Sequence, residues 1–193
     1  MIETRTALII AETERDIPAV RHARSSVDPT IRAASLGVLD RLDALANDEV
    51  AEALHDPDAR VRCRAIELAV ARTDVELVSK LHDEHDLVVE TTAWALGERG
   101  TDEEPTISAL CNIAMEHDIS ICREAAIAAL GAIGSADGLS AILHGMNDRA
   151  PVRRRAVLAL APFDGEAVTD ALETALTDRD RQVRQAAEDL LGS

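Results

Sequence analysis

Four of the six histidines stand directly before an aspartate, at His55-Asp56, His82-Asp83, His85-Asp86 and His117-Asp118. Imidazole beside carboxylate is metal-ligand chemistry, so these pairs are the first candidates for a site. Two nitrogens on one zinc are bonded at about 2.0–2.1 Å and so lie within about 4 Å of each other. Equivalent turns on neighbouring packed helices lie about 8–10 Å apart. Histidines of separate pairs are therefore poorly placed to share an ion, although His82 with His85 and neighbouring acids could hold an adventitious one locally. Aspartate favours turns and histidine suits a helix C-terminus. The pairs read as turn chemistry, and neither a metal nor a cofactor is expected.

Cys63, Cys111 and Cys122 are too few and of the wrong parity for a disulfide framework, and no Cys-x-x-Cys occurs. Cys122 and Cys111 read as small core residues, and Cys63 as a thiol exposed on a groove-lining helix. No nucleophile stands at defined spacing from a base, and there is no glycine-rich phosphate loop and no dinucleotide fingerprint. No catalytic residue is assigned, and the chain reads as a non-enzyme.

Charge narrows the partners. The 36 acids and 20 bases leave a net charge of −16. Residues 74–124 alone hold 13 acids and 3 bases, so most of the excess is central. Phosphate backbones are bound by clustered Lys and Arg, so bulk nucleic-acid binding is disfavoured and a basic protein partner favoured. Adaptation of the whole surface to a salty interior is the competing origin of the acidity. The longest apolar run near the amino terminus, Ala7 to Ala11, is too short for a signal core or a membrane span. A cytoplasmic monomer is expected.

The elements that position these residues follow from a repeat. An acidic turn, an apolar anchor, often an arginine, and an alanine-rich run recur with anchors at Ile31, Val61, Val88, Cys122, Val152 and Val183. The spacings are 30, 27, 34, 30 and 31 residues. A second apolar stretch precedes most turns: Val50 to Leu54, Val75 to Leu81, Ile107 to Ala114, Leu139 to Met146 and Ala167 to Leu176. With 34 alanines, two aromatics and no sustained alternation, the reading is all-α: about six helix hairpins stacked as one α-α superhelix, a right-handed solenoid. Residues 1–16 read as an N-terminal capping helix built on Leu8, Ile9 and Ile10. The hairpins span about 17–46, 47–73, 74–101, 102–136, 137–163 and 164–193. The last helix carries a stripe of Val183, Ala187, Leu190 and Leu191 opposite Gln182, Gln185, Glu188 and Asp189, as a terminal cap requires.

The Asp, Val-Arg, Ala and Leu-Gly positions of this unit resemble the short HEAT-like repeats of the phycobilisome-lyase type, from about residue 17 to the end. The resemblance implies that the second helix of each hairpin lines the concave face. It also brings enzyme alternatives: a chromophore lyase, or a metal-dependent hydroxylase such as deoxyhypusine hydroxylase, whose His-Glu pairs have no counterpart here. A helical-repeat DNA glycosylase is a further alternative, which the charge opposes.

Arg32, Arg62, Arg123, Arg153 and Arg184 recur at one repeat position, four or five residues after Asp28, Asp58, Asp118, Asp148 and Asp180. They read as a structural ladder bonded to the aspartate of their own or a neighbouring turn. The third unit departs: Val89 replaces the arginine, the extra loop Gly100 to Pro105 follows, and the only tryptophan, Trp94, lies in this acidic segment. An indole in a groove would anchor a basic side chain; otherwise it fills a gap between units. The expected partner-binding set is Trp94 with Glu90, Thr91, Glu98, Glu124, Arg64 and Glu67, and at the other end Arg154 and Arg155, which exceed the ladder.

Overall fold

The computed structural model describes residues 4–192, and all regular secondary structure among them is helical. The chain forms two compact units, one up to Lys80 and one from Leu81. The first contains α1 (Arg5–Thr13), α2 (Ile17–Ala23), α3 (Pro29–Arg41), α4 (Asn47–Ala53) and α5 (Ala59–Ala69). The second contains α6 (Asp86–Arg99), α7 (Glu104–Glu116), α8 (Ser120–Ile133), α9 (Leu139–Gly145), α10 (Ala150–Ala159), α11 (Glu166–Ala175) and α12 (Arg181–Leu191). No helix among the described residues is long and apolar enough to cross a membrane.

Where the spacing reads as one continuous array, the division falls in the third hairpin. Its first helix, expected over Val75 to Leu81, is only the 3-10 turn Val78–His82. The 27-residue spacing before Val88 is too short for a full α-helical hairpin, and the chain takes a tighter turn instead. Asp137-Gly138 lies in a second 3-10 turn, Ala136–Gly138.

Aspartates start several helices. Asp28, Asp58 and Asp180 sit at the N-caps of α3, α5 and α12 and accept the backbone N–H two residues on, at 2.8, 3.0 and 2.8 Å. Three residues into each post-turn helix comes the anchor, and all six anchors are buried. In the second unit α6, α8, α10 and α12 then pack side by side in chain order, with α7, α9 and α11 behind them.

Two glycines set how closely these helices approach. A Cβ on Gly97 would stand 2.8 Å from the Ala129 Cα, and one on Gly131 would stand 2.7 Å from the Ala159 Cα. Both neighbours are backbone, so neither can swing aside.

The arginine ladder has a more specific geometry than the sequence suggests. Each arginine is the fourth residue of its helix, and for Arg32, Arg123 and Arg153 the carboxylate partner is on the following turn. Arg32 forks onto Asp56 at 2.8 and 2.7 Å, Arg123 onto Asp148 at 2.6 and 2.8 Å, and Arg153 onto Asp178 at 2.8 and 2.8 Å. The remaining Nη1 donates back to its own turn, from Arg32 to the Ser26 carbonyl, Arg123 to His117 and Arg153 to Asp148. Arg62 and Arg184 make the same backward contact, to the carbonyls of Asp56 and Asp178. One guanidinium thus ties two turns.

The caps are narrower than expected. In α1 Leu8 is buried with Ala11 against Val20, Ile31 and Leu39, but Ile9 and Ile10 are exposed. In α12 Val183, Ala186 and Ala187 are buried against α10 and α11, and Leu191, at the far end of the helix, is exposed.

Gly131→Ala is expected to lower stability by about 1–3 kcal/mol through this overpacking, read as the urea midpoint. Arg123 and Arg153 hold the carboxyls of Asp148 and Asp178 below their ordinary 3.8, against the opposing effect of burial. Their contribution is fully present above that value and is lost as pH falls through the depressed native values. Stability should therefore fall on acidification below about pH 4. Asp178→Asn should cost about 1–3 kcal/mol at neutral pH and shrink that acid-dependent loss.

Candidate protein-binding groove

A groove of about 410 Å³ runs across α6, α8 and α10 of the second unit. Successive turns of α6 bring Glu90, Trp94 and Glu98 onto one side, four residues apart. Opposite, α8 supplies Ile121 and Glu124, and α10 supplies Arg155. Between these walls the floor is made of alanines, Ala125, Ala128 and Ala132 among them. Only small side chains there leave room above the backbone, so the alanine-rich run makes the depression.

Trp94 is 46% exposed and Ile121 44% exposed. The indole therefore does not fill a gap between hairpins. Two large apolar groups open to water in one groove form a surface that another molecule can cover. The Arg155 Nε lies 3.6 Å from the Glu124 carboxylate, an ion pair too long to be a hydrogen bond. Glu90, Glu98 and Glu124 outnumber that one cation, leaving a negative rim around an aromatic face.

The structure gathers Glu90, Trp94, Glu98, Glu124 and Arg155, and separates the other expected site residues from them. Thr91 turns its hydroxyl back to donate to the Leu87 carbonyl at 2.7 Å and does not line the groove. Arg154 is exposed on α10 and also lies outside it. Arg64 and Glu67 are in the first unit, paired with each other at 2.8 Å on α5. Ile121 and the alanine floor escaped the sequence reading. Ile121 immediately precedes the buried anchor Cys122 and so points to a different face of α8, the signal that could have exposed it.

The thiols differ from expectation in two places. Cys63 is buried, because it follows the anchor Val61 onto an inward face of α5. Cys111 is only partly buried, and its Sγ lies 3.9 Å from the Asp137 carbonyl. Cys122 is buried as expected, and burial, with the negative fields of Asp86 and Glu90, pushes its thiol up to about 11. That thiol is no nucleophile at neutral pH.

Two of the turn histidines act through their rings on local backbone. His85 Nδ1 accepts the Leu87 N–H at 3.3 Å and His117 Nδ1 accepts the Ile119 N–H at 3.2 Å. His82 and His85 are not the donors that gather. Asp86, His117 and Cys122 do, with ligand atoms within 4.8 Å of one another. Backbone spacing understated the reach, since side chains of adjacent turns lean toward each other across it.

A stack of helix hairpins with a groove across its post-turn helices defines a helical-repeat protein. The HEAT-repeat family matches residues 75–161 and again 107–192, more than half of the chain, and the chain belongs to that family. No curated protein matches the sequence. Among solved structures it is similar to an engineered protein at 22% identity and TM-score 0.66, covering 92% of this chain and 97% of that one. It is also similar to a designed armadillo repeat protein in complex with the peptide (KR)4, at 16% identity and TM-score 0.66, covering 91% and 98%. A second designed armadillo repeat protein matches at 16% identity and TM-score 0.60, with the same coverages. These likenesses show the fold, an all-α helical-repeat solenoid.

Acrylamide should quench the fluorescence of Trp94 substantially in the folded protein, with a gain of about twofold at most on unfolding. Strong shielding in the native state would show the indole to be covered.

Proposed function

We propose that the protein is a non-catalytic binding module that holds an extended, basic segment of a protein partner in the groove of the second unit. The observation that carries this reading is the half-exposed Trp94 flanked by Glu90 and Glu98 and faced by Glu124. A guanidinium or ammonium laid on the indole gains a cation–π contact while its N–H groups reach the carboxylates. The low Lys and Arg content of residues 74–124 leaves Arg155 as the one cation among the described residues lining the groove against Glu90, Glu98 and Glu124. That a designed repeat protein of the same fold carries a (KR)4 peptide supports the choice of ligand.

The test is a calorimetric titration with an alternating Lys-Arg octapeptide, against an acidic octapeptide as control. Binding should weaken as salt rises. Trp94→Ala should cost about 2 kcal/mol, roughly a thirtyfold loss, and Glu90→Gln with Glu98→Gln should flatten the salt dependence. Equal affinity of wild type and Trp94→Ala, or equal binding of the acidic control, overturns the proposal.

A further inference from the structure

We propose that Asp86, His117 and Cys122 form a binding site for a divalent transition metal, zinc by its donor set, at the interruption of the arginine ladder in the second unit. The interruption is double. The fourth residue of α8 is Arg123 and of α10 is Arg153, but the fourth residue of α6 is the buried Val89. On the next turn, His117 stands where the other rungs have their acceptor. Its carbonyl accepts Arg123 at 2.6 Å as that of Asp148 accepts Arg153 at 2.7 Å. Its Nδ1 accepts the N–H two residues on, as Asp178 does from Asp180. Donor and acceptor of one rung are thus both replaced, the cation by an aliphatic group and the carboxylate by an imidazole.

Three donors converge there. The His117 Nε2 lies 4.0 Å from the Asp86 Oδ1. The Cys122 Sγ lies 3.5 Å from the Asp86 backbone carbonyl. All three ligand atoms fall within 4.8 Å of one another. Around tetrahedral zinc they would stand about 1 Å closer. Asp86, with its side chain 53% exposed, and His117, at 20%, line the way in and can rotate to close that gap, while Cys122 forms the floor.

Sulfur, imidazole and carboxylate together select zinc or a similar borderline ion over calcium or magnesium. On binding, the thiol proton leaves to solvent, and thiolate plus carboxylate balance the two positive charges of the ion. Coordination through Nε2 moves the ring proton to Nδ1 and gives up the exposed hydrogen bond from Ile119. Water completes the fourth position. The ion then joins the turn that opens α6 to the turn that opens α8, as a guanidinium joins turns elsewhere in the ladder.

Cobalt is the probe. One equivalent of Co²⁺ added to the full chain should produce thiolate-to-cobalt charge-transfer absorption that Zn²⁺ abolishes. Cys122→Ser should remove the band. If that core variant does not fold, Asp86→Asn and His117→Gln decide, each lowering cobalt affinity at least about tenfold with helical circular dichroism unchanged. Absence of the band, its survival in Cys122→Ser, or unaltered affinity in both surface variants overturns the site.

Discussion

A guanidinium has donors enough to hold two turns at once, and the hairpins depend on that. At the fourth position of a helix, Arg123 and Arg153 bind their own turn's carbonyls with one nitrogen and fork onto the next turn's carboxylate with two others. Short helices with alanine-rich faces bury little area each, so the register between neighbours needs a directional bond as well as apolar contact. The ladder supplies it at the turns. Gly97 on α6 and Gly131 on α8 supply close approach to the next post-turn helix.

Once the post-turn helices are held side by side, their outer faces form a shared surface whose depth is set by side-chain size. Alanine keeps the floor of the second unit's groove low, and the larger Trp94, Ile121 and Glu124 rise around it. Repetition therefore makes the scaffold, and departure from repetition makes the site. Trp94 and Val89 are both departures, on two faces of α6, one opening on the groove and one at the broken rung.

Much of this was legible in the sequence because period and anchor type are properties of single positions. The six anchors, the post-turn helices and the arginine ladder follow from spacing alone. Trp94 with Glu90 and Glu98 was legible because four-residue spacing puts them on one helix face. What escaped needed distances between helices. Spacing left the carboxylate partners of Arg32, Arg123 and Arg153 on their own or a neighbouring turn, and only the structure puts them on the following one. Arg64 and Glu67 occupy a similar helix face but belong to the first unit. The approach of Asp86, His117 and Cys122 depends on side-chain reach across two turns, and the missing first helix of the third hairpin depends on a spacing only a few residues shorter than the rest.

The groove's role is tested most directly by chemical-shift mapping of the isotope-labelled chain during titration with the basic octapeptide. Saturable shifts are expected at the Trp94 indole N–H and at the methyls of Ile121, Ala125 and Ala128, with the first unit unmoved. Shifts confined to the first unit or scattered over the acidic surface without saturation would contradict that role.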